Sequence, residues 1–532
     1  MAALTLLLSV PSATFAGSAT WELNPGSGDW NTAANWTPAT VPNGSTDTAT
    51  FALSNTTALS VSANATVDGI TFSPGASSFT ITPSPGFILN LSGAGITNNS
   101  GTTQNFVTAV DGPGNFGTIA FINSATAGSL SNFTNNGGGG NTSFFDSSTG
   151  GNGTFINNPA TAKNAQVGRT DFFNTSTAGN GTFTNNGSTV SDAGGGLIRF
   201  MDNSTAGNAT ITNSGSTVSG PSNLETGGGI SFEDRSTAGS ATLIANGGTA
   251  GGEGGEIFFF HNSTGGTSRV EVFGNGKLDI SVNDAPGVTI GSIEGDGNAF
   301  LGAKNLTVGS NNMSTTFSGM MQDGGFAGGS AGSLTKIGAG TLDLAGANTY
   351  TGNTNIKGGA LQVDGSIRGD TLVKRSGTLT GTGTINGSVS NAGLVSPGDP
   401  LGTLTVDGYS QTSNGRLLID IAGTGAGQFS VLNVLGNANV NGFLTPVLLN
   451  GFIPSIGDEF TFLNYGSLSG AFSIQNGGIF DNGMERWVVT YHANDAVLTA
   501  TKNVPDLGST LLLLTLGLLA LAYRNVSLRK QI

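Results

Sequence analysis

The stretch from Leu334 to Ser366, LTKIGAGTLDLAGANTYTGNTNIKGGALQVDGS, constrains the fold most. Glycine punctuates it every few residues. Between the glycines lie short runs of alternating apolar and polar residues, such as Leu342-Asp343-Leu344 and Leu361-Gln362-Val363. Side chains alternate across a strand, so Leu342 and Leu344 share one face and Asp343 the other. Strands this short cannot bury enough surface alone and must stack on similar neighbours.

The same stretch resembles a known family. Leu334-Thr335-Lys336, Gly338, Gly340-Thr341-Leu342, Leu344, Gly346, Asn348-Thr349-Tyr350-Thr351-Gly352, Thr354, Gly359, Leu361 and Val363 resemble the autotransporter-associated β-strand repeat, also called the passenger-associated-transport repeat. The resemblance implies an exported, extended β-helix.

A second repeat occupies residues 121–266. Its core is Phe-x-[Asn/Asp/His]-x-[Ser/Ala]-Thr-[Ala/Gly]-Gly, with Phe at 121, 144, 172, 200, 232 and 259. The threonines at 126, 149, 177, 205, 237 and 264 are spaced 23, 28, 28, 32 and 27 residues apart. Such a period signals stacked supersecondary units. No unit holds an amphipathic helical pattern, so helical solenoids are excluded and one coil of a parallel β-helix fits. The phenylalanines are expected to stack from coil to coil, the glycines to take turns at positive φ, and the variable spacing to loop out at one corner. Asn135-Asn136, Asn157-Asn158 and Asn185-Asn186 are read as Asn ladders along a corner, with a glycan-binding groove as the alternative.

Composition supports an ordered but unusual chain. Of 532 residues, 88 are Gly and only 9% are charged, against about 25% in ordinary domains. Disorder is disfavoured by 31 regularly placed Phe. The net charge of −14 comes with no basic patch, which argues against nucleic-acid binding. Without cysteine, stability must come from stacked packing.

The two ends read as addresses. Ala2 to Val10 is apolar, and the small residues at Thr14 and Ala16 fit signal-peptidase cleavage between Ala16 and Gly17. At the other end, Leu511 to Tyr523 is apolar and is followed by Arg524, Arg529 and Lys530. Leu507 to Tyr523 is 17 residues, about 25 Å as a helix, near the lower limit for a span. The trailing cations predict a cytoplasmic C-terminus. Val504, Pro505, Asp506 and Gly508 make this tail similar to the PEP-CTERM class of bacterial sorting signals in its VPDSG form, with Leu507 where that form carries Ser. The resemblance implies recognition by an exosortase-like processing enzyme. No room is expected for a C-terminal outer-membrane barrel.

Chemistry is sparse. His261 and His492 are distant in sequence, and His261 occupies the Asn/Asp position of the second repeat. Neither HExxH nor a paired-cysteine motif occurs, and the chain is read as having no Gly-x-Ser-x-Gly motif. Asp146, Asp202 and Asp234 share one repeat position and are read as a solvated edge, with calcium binding as the alternative. Trp21, Trp30 and Trp36 are read as a cap over the first coil; Trp30 and Trp36 are also candidate sugar-stacking rings.

The expected fold is therefore all-β: a right-handed parallel β-helix with a C-terminal single transmembrane helix. The expected layout is a signal peptide over 1–16, an N-terminal cap and first coils over 17–120, Phe/STAG coils over 121–290, coils containing the 334–366 repeat over 291–428, a closing cap over 429–501, and the sorting tail over 504–532. The expected role is a structural or adhesin-like protein of the cell surface or extracellular matrix, transiently anchored in the inner membrane by Leu511–Tyr523. It is expected to be no enzyme and to have no cofactor. Its alternative partner is surface polysaccharide, bound or degraded.

Overall fold

In a computed structural model, residues 17–112, 114–218, 226–284, 286–480 and 485–502 are described. The chain forms two compact units that divide after Gly369.

Over most of the first unit each coil supplies one short strand to each of two facing parallel sheets, and from Gly287 onward the coils also feed two further sheets. One sheet has fourteen strands, from Trp36–Thr37 and Ala19–Trp21 through Thr118–Phe121, Asn141–Phe144 and Arg169–Phe172 to Met320–Gln322. The other has ten, from Ala58–Val61 through Asn152–Asn157, Thr182–Asn185 and Thr210–Asn213 to Ser292–Glu294. Pairing within the repeat has no offset: Phe121 lies beside Phe144, Phe144 beside Phe172, and Phe172 beside Phe200. Parallel sheets need crossover connections, and here each crossover is the strand of the opposite sheet. The result is the expected parallel β-helix.

Phenylalanine fills its core. The six repeat phenylalanines form one column, with ring centroids 4.6–5.0 Å apart and near-parallel planes. A second column, Phe106, Phe133, Phe155 and Phe183, rises from the facing sheet at 4.5–4.9 Å. The columns meet edge to face at 5.7–5.9 Å, a favoured geometry for aromatic quadrupoles. Apart from one extra residue at the Ser129–Asn132 bulge, length variation falls in the segments 136–140, 158–168, 186–196, 214–228 and 246–255, between a strand of the second sheet and the next of the first.

The start of the first unit is closed by tryptophan. Trp36–Thr37 runs antiparallel to Ala19–Trp21, and Trp21, Trp30 and Trp36 gather around Phe51 with centroids 5.6–6.2 Å from it. Toward the end of the unit, Leu342 and Leu344 are buried with Asp343 between them facing outward, and they pair with Leu361 and Val363. Gly338 and Gly359 sit at φ +71° and +61°. Asn348 explains its place in the repeat: its Oδ1 accepts the Met321 N–H at 2.9 Å and its Nδ2 donates to the Gly346 carbonyl at 3.0 Å.

The second unit repeats the parallel scheme, with Thr384–Asn391 beside Thr403–Gln411 and Arg416–Ile421 beside Phe443–Leu448. It ends differently. Asp495–Lys502 pairs antiparallel with both Glu459–Asn464 and Glu485–Tyr491, and Trp487 stacks on Phe480 at 4.5 Å. Among the described residues no helix is long and apolar enough to cross a membrane. The expected span, Leu511–Tyr523, lies outside the described residues.

Candidate functional site

Polar ladders along the repeat are the features with functional geometry. The first is inward. Asn135, Asn157, Asn185 and Asn213 are fully buried, and each amide donates to the next carbonyl oxygen at 2.7–2.9 Å. The ladder stops where Ala245 replaces Asn; there Asn213 Nδ2 turns to the Glu256 carbonyl at 3.1 Å. The following residues form a half-buried ladder of opposite polarity, with Asn186 donating back to Asn158 at 3.0 Å. The expected Asn ladders are present, one on each side of the backbone.

The second ladder is the solvated edge expected of Asp146, Asp202 and Asp234, all of them exposed, and its side chains also bridge neighbouring coils. Asn123, Asp146, Asn174, Asp202, Asp234 and His261 all stand at φ between 51° and 58°. Asp146 Oδ2 accepts the Asn123 N–H at 2.9 Å, Asn174 Oδ1 that of Asp146 at 3.0 Å, and Asp202 Oδ2 that of Asn174 at 2.8 Å. The position thus needs a residue that tolerates left-handed backbone and presents an acceptor one coil back. Asn and Asp meet both conditions, and His261 meets them with Nδ1. No group of three or more His, Asp or Glu suited to a metal ion occurs among the described residues.

The third ladder is threonine. Thr126, Thr149, Thr177, Thr205, Thr237 and Thr264 bridge in parallel, and five of their hydroxyls accept the N–H of the glycine two residues on at 3.0–3.1 Å. Those glycines have φ of 58–73°, as expected. Two buried carboxylates of the repeat are paired: Asp171 sits between Arg169 at 3.0 Å and Arg199 at 2.8 Å. Glu256, whose carboxyl burial pushes up, meets the Lys277 ammonium at 2.6 Å.

The candidate sugar platform is corrected. Trp30 and Trp36 are 0% and 1% exposed. Their ring nitrogens donate to the Pro42 and Trp30 carbonyls at 3.1 and 2.8 Å. Neither ring has a free face, because both plug the open end of the core. Of the two cleavage residues, Gly17 is the first described residue and Ala16 lies outside. Val504, Pro505, Asp506 and Gly508 also lie outside the described residues.

One motif escaped the sequence reading. Gly328-Gly329-Ser330-Ala331-Gly332 fits the Gly-x-Ser-x-Gly pattern. A nucleophile elbow joins a strand to a helix, whereas this loop leads into the strand Ser333–Lys336. Ser330 is exposed. The loop is organised by Asp323, which accepts from the Gly332 N–H at 2.9 Å and the Thr351 hydroxyl at 2.6 Å. His492 is in a turn of the second unit, with Nδ1 2.6 Å from Asp495.

The Passenger-associated-transport-repeat family matches residues 334–363. Over 76 residues, 14% of the chain, the protein is 49% identical to an extracellular serine protease of Serratia marcescens, of which this covers 7%. Over 103 residues, 18% of the chain, it is 36% identical to the adhesin BmaC autotransporter of Brucella suis biovar 1 (strain 1330), of which this covers 3%. The chain therefore spans under a tenth of the length of these relatives. The Haemophilus influenzae Hap adhesin structure aligns over 85% of this chain and 63% of its own, at 14% identity and a TM-score of 0.22. The relatives named as proteases overturn the exclusion of an enzyme drawn from sparse histidines, since the stretch they share with this chain also occurs in proteases. The chain is a β-helical repeat protein that carries one passenger-type repeat.

Proposed function

We propose that this protein is an exported β-helical protein of the cell surface or extracellular matrix, with an adhesin-like role. The carrying observation is the repeat at 334–363, in a chain whose coils between 123 and 213 satisfy buried amides and turn N–H groups from coil to coil. Such self-satisfied coils resist local opening and proteolysis, as a surface display requires. The relatives, an adhesin and extracellular proteases, support export. The coils wind right-handed, as parallel crossovers do.

Delivery runs through cleavage between Ala16 and Gly17, and through recognition of Val504, Pro505, Asp506 and Gly508 by an exosortase-like enzyme while Leu511–Tyr523 holds the chain in the inner membrane. The test is the intact mass of the mature protein from its native host, with cell fractionation. A chain ending near Pro505 at the surface or in the matrix supports this route. A chain still carrying residues 511–532 in the inner membrane refutes it.

Surface polysaccharide is the partner class proposed for adhesion. A groove beside Asn136 and Asn158, walled by Val110, Pro159 and Val190, supports it; a glycan array tests it. A second reading rests on the relatives named extracellular serine protease: the chain, or a longer polypeptide containing it, is proteolytic. Labelling of the purified full chain by a fluorophosphonate probe, with cleavage of casein, tests that reading.

A further inference from the structure

The outer face of the second sheet between Asn152 and Asn246 is a lattice of uncharged groups. Strands Asn152–Asn157, Thr182–Asn185, Thr210–Asn213 and Thr242–Ala245 pair without offset. Thr154, Thr182, Thr210 and Thr242 therefore form one row, and Ile156, Thr184, Thr212 and Ile244 the next. Alternation sends Phe155, Phe183, Ile211 and Leu243 into the core, where all are 0% exposed, and turns both rows outward. Asn152, Asn180 and Asn208 flank one side, their amides linked at 3.2 Å. No charged or aromatic side chain projects from residues 152–158, 180–186, 208–214 or 240–246, in a chain of net charge −14. The lattice ends at the next strand, where Arg269 and Glu271 take the same two rows and pair at 3.2 Å.

These hydroxyls differ from those of the other threonine ladder. There the oxygens accept glycine N–H groups and are occupied. The hydroxyls of Thr154, Thr182, Thr184, Thr210, Thr212 and Thr242 make no hydrogen bond to a protein group among the described residues. Each therefore bonds to what lies outside. Their spacing is set by the backbone: about 4.8 Å between strands and about 6.7 Å between rows. Each hydroxyl has a methyl beside it, and Ile156 and Ile244 continue the methyl pattern at the ends of the second row.

A partner for such a face is neutral, flat and periodic in its hydrogen bonds. Sugars are commonly gripped by aromatic faces, which this surface lacks. Ordered water carries a donor and an acceptor at every site. We propose that the 152–246 face orders its first layer of water on this lattice and binds ice. The hydroxyls anchor waters at fixed spacing, and the methyls confine the waters between them. The stacked Phe and Asn ladders behind the sheet hold the spacing rigid, so little ordering is left to the moment of binding.

The test uses the full chain in assays of ice recrystallisation and thermal hysteresis. The wild type is expected to suppress recrystallisation. The double variant Thr182→Lys, Thr210→Lys, whose outward side chains leave the core untouched, is expected to lose at least tenfold in potency with an unchanged circular-dichroism spectrum. Asn203→Lys, at an exposed position of another face, is expected to keep it. A folded wild type without effect on ice overturns the proposal. So does a face that instead adsorbs crystalline cellulose, or one that pairs with a second copy and is released by the two lysines.

Discussion

Asn185→Ala isolates the inward amide ladder. Asn185 is fully buried. Its Nδ2 donates to Asn213 Oδ1 at 2.7 Å and to the Gly229 carbonyl at 2.9 Å, and its Oδ1 accepts from Asn157 Nδ2 at 2.7 Å. Three buried hydrogen bonds at about 1 kcal/mol net each give about 3 kcal/mol, and stranding the Asn157 donor raises the loss toward about 5 kcal/mol. Coils couple mainly to their neighbours, so the loss is local. Hydrogen exchange of peptides spanning Asn152–Asn157, Thr182–Asn185 and Thr210–Asn213 reads it as a fall in opening free energy, with distant coils unchanged. Asn208→Ala, in the exposed Asn row, is the control and should cost under about 0.5 kcal/mol. A double-mutant cycle of Asn157→Ala with Asn185→Ala should give a coupling of about 1–2 kcal/mol. A loss under about 1 kcal/mol at Asn185, or one equal to that of Asn208→Ala, would refute the ladder as a source of stability.

Other expectations follow from the same geometry. Phe172→Ala, which breaks a column stacked at 4.6 and 4.7 Å on either side, should cost about 3–5 kcal/mol in urea denaturation, and Phe172→Leu distinctly less. Gly207→Ala places a Cβ at φ +60° against the Gly179 carbonyl and the Thr177 hydroxyl; a loss of about 1–2 kcal/mol is expected, and a neutral substitution would refute the left-handed turn. Burial lowers the Lys336 pKa to about 8 from 10.5. Between those values the unfolded chain binds more protons, so stability should rise with pH by up to about 3 kcal/mol, the burial penalty being fully present below pH 8. Lys336→Met should abolish the rise; urea midpoints at pH 7 and 9.5 that shift equally in both proteins would count against it.

How much of this was legible in the sequence differs by residue. Leu342 and Leu344 announced their face because alternation is a property of the single strand. The phenylalanines at 144, 172 and 200 announced their column because a recurring residue in a recurring unit must recur in space. The glycines of the repeat were legible for the same reason. Trp30 and Trp36 were legible as a cap but equally open to sugar stacking: an aromatic ring near a chain end has the same letters whether it plugs a core or faces a sugar, and the neighbours Trp21 and Phe51 decide for the cap. Gly328–Gly332 shows the converse, a motif whose meaning depends on the strand that follows it.

The periodicities that make coils, and the residue types that fill them, are therefore carried by the sequence itself, because they arise from local backbone geometry. Tertiary structure alone decided the pairing register. That register makes Asn185 a buried amide and Asn186 an outer one. It makes the exposed Asp202 row a set of inter-coil acceptors as well as a solvated edge. It also sets the hydroxyls of Thr182 and Thr210 in free rows across the coils, whereas those of Thr177 and Thr205 are occupied locally, by the glycine N–H two residues on. A shift of one residue would exchange every inward and outward group, and only contacts between coils can forbid it.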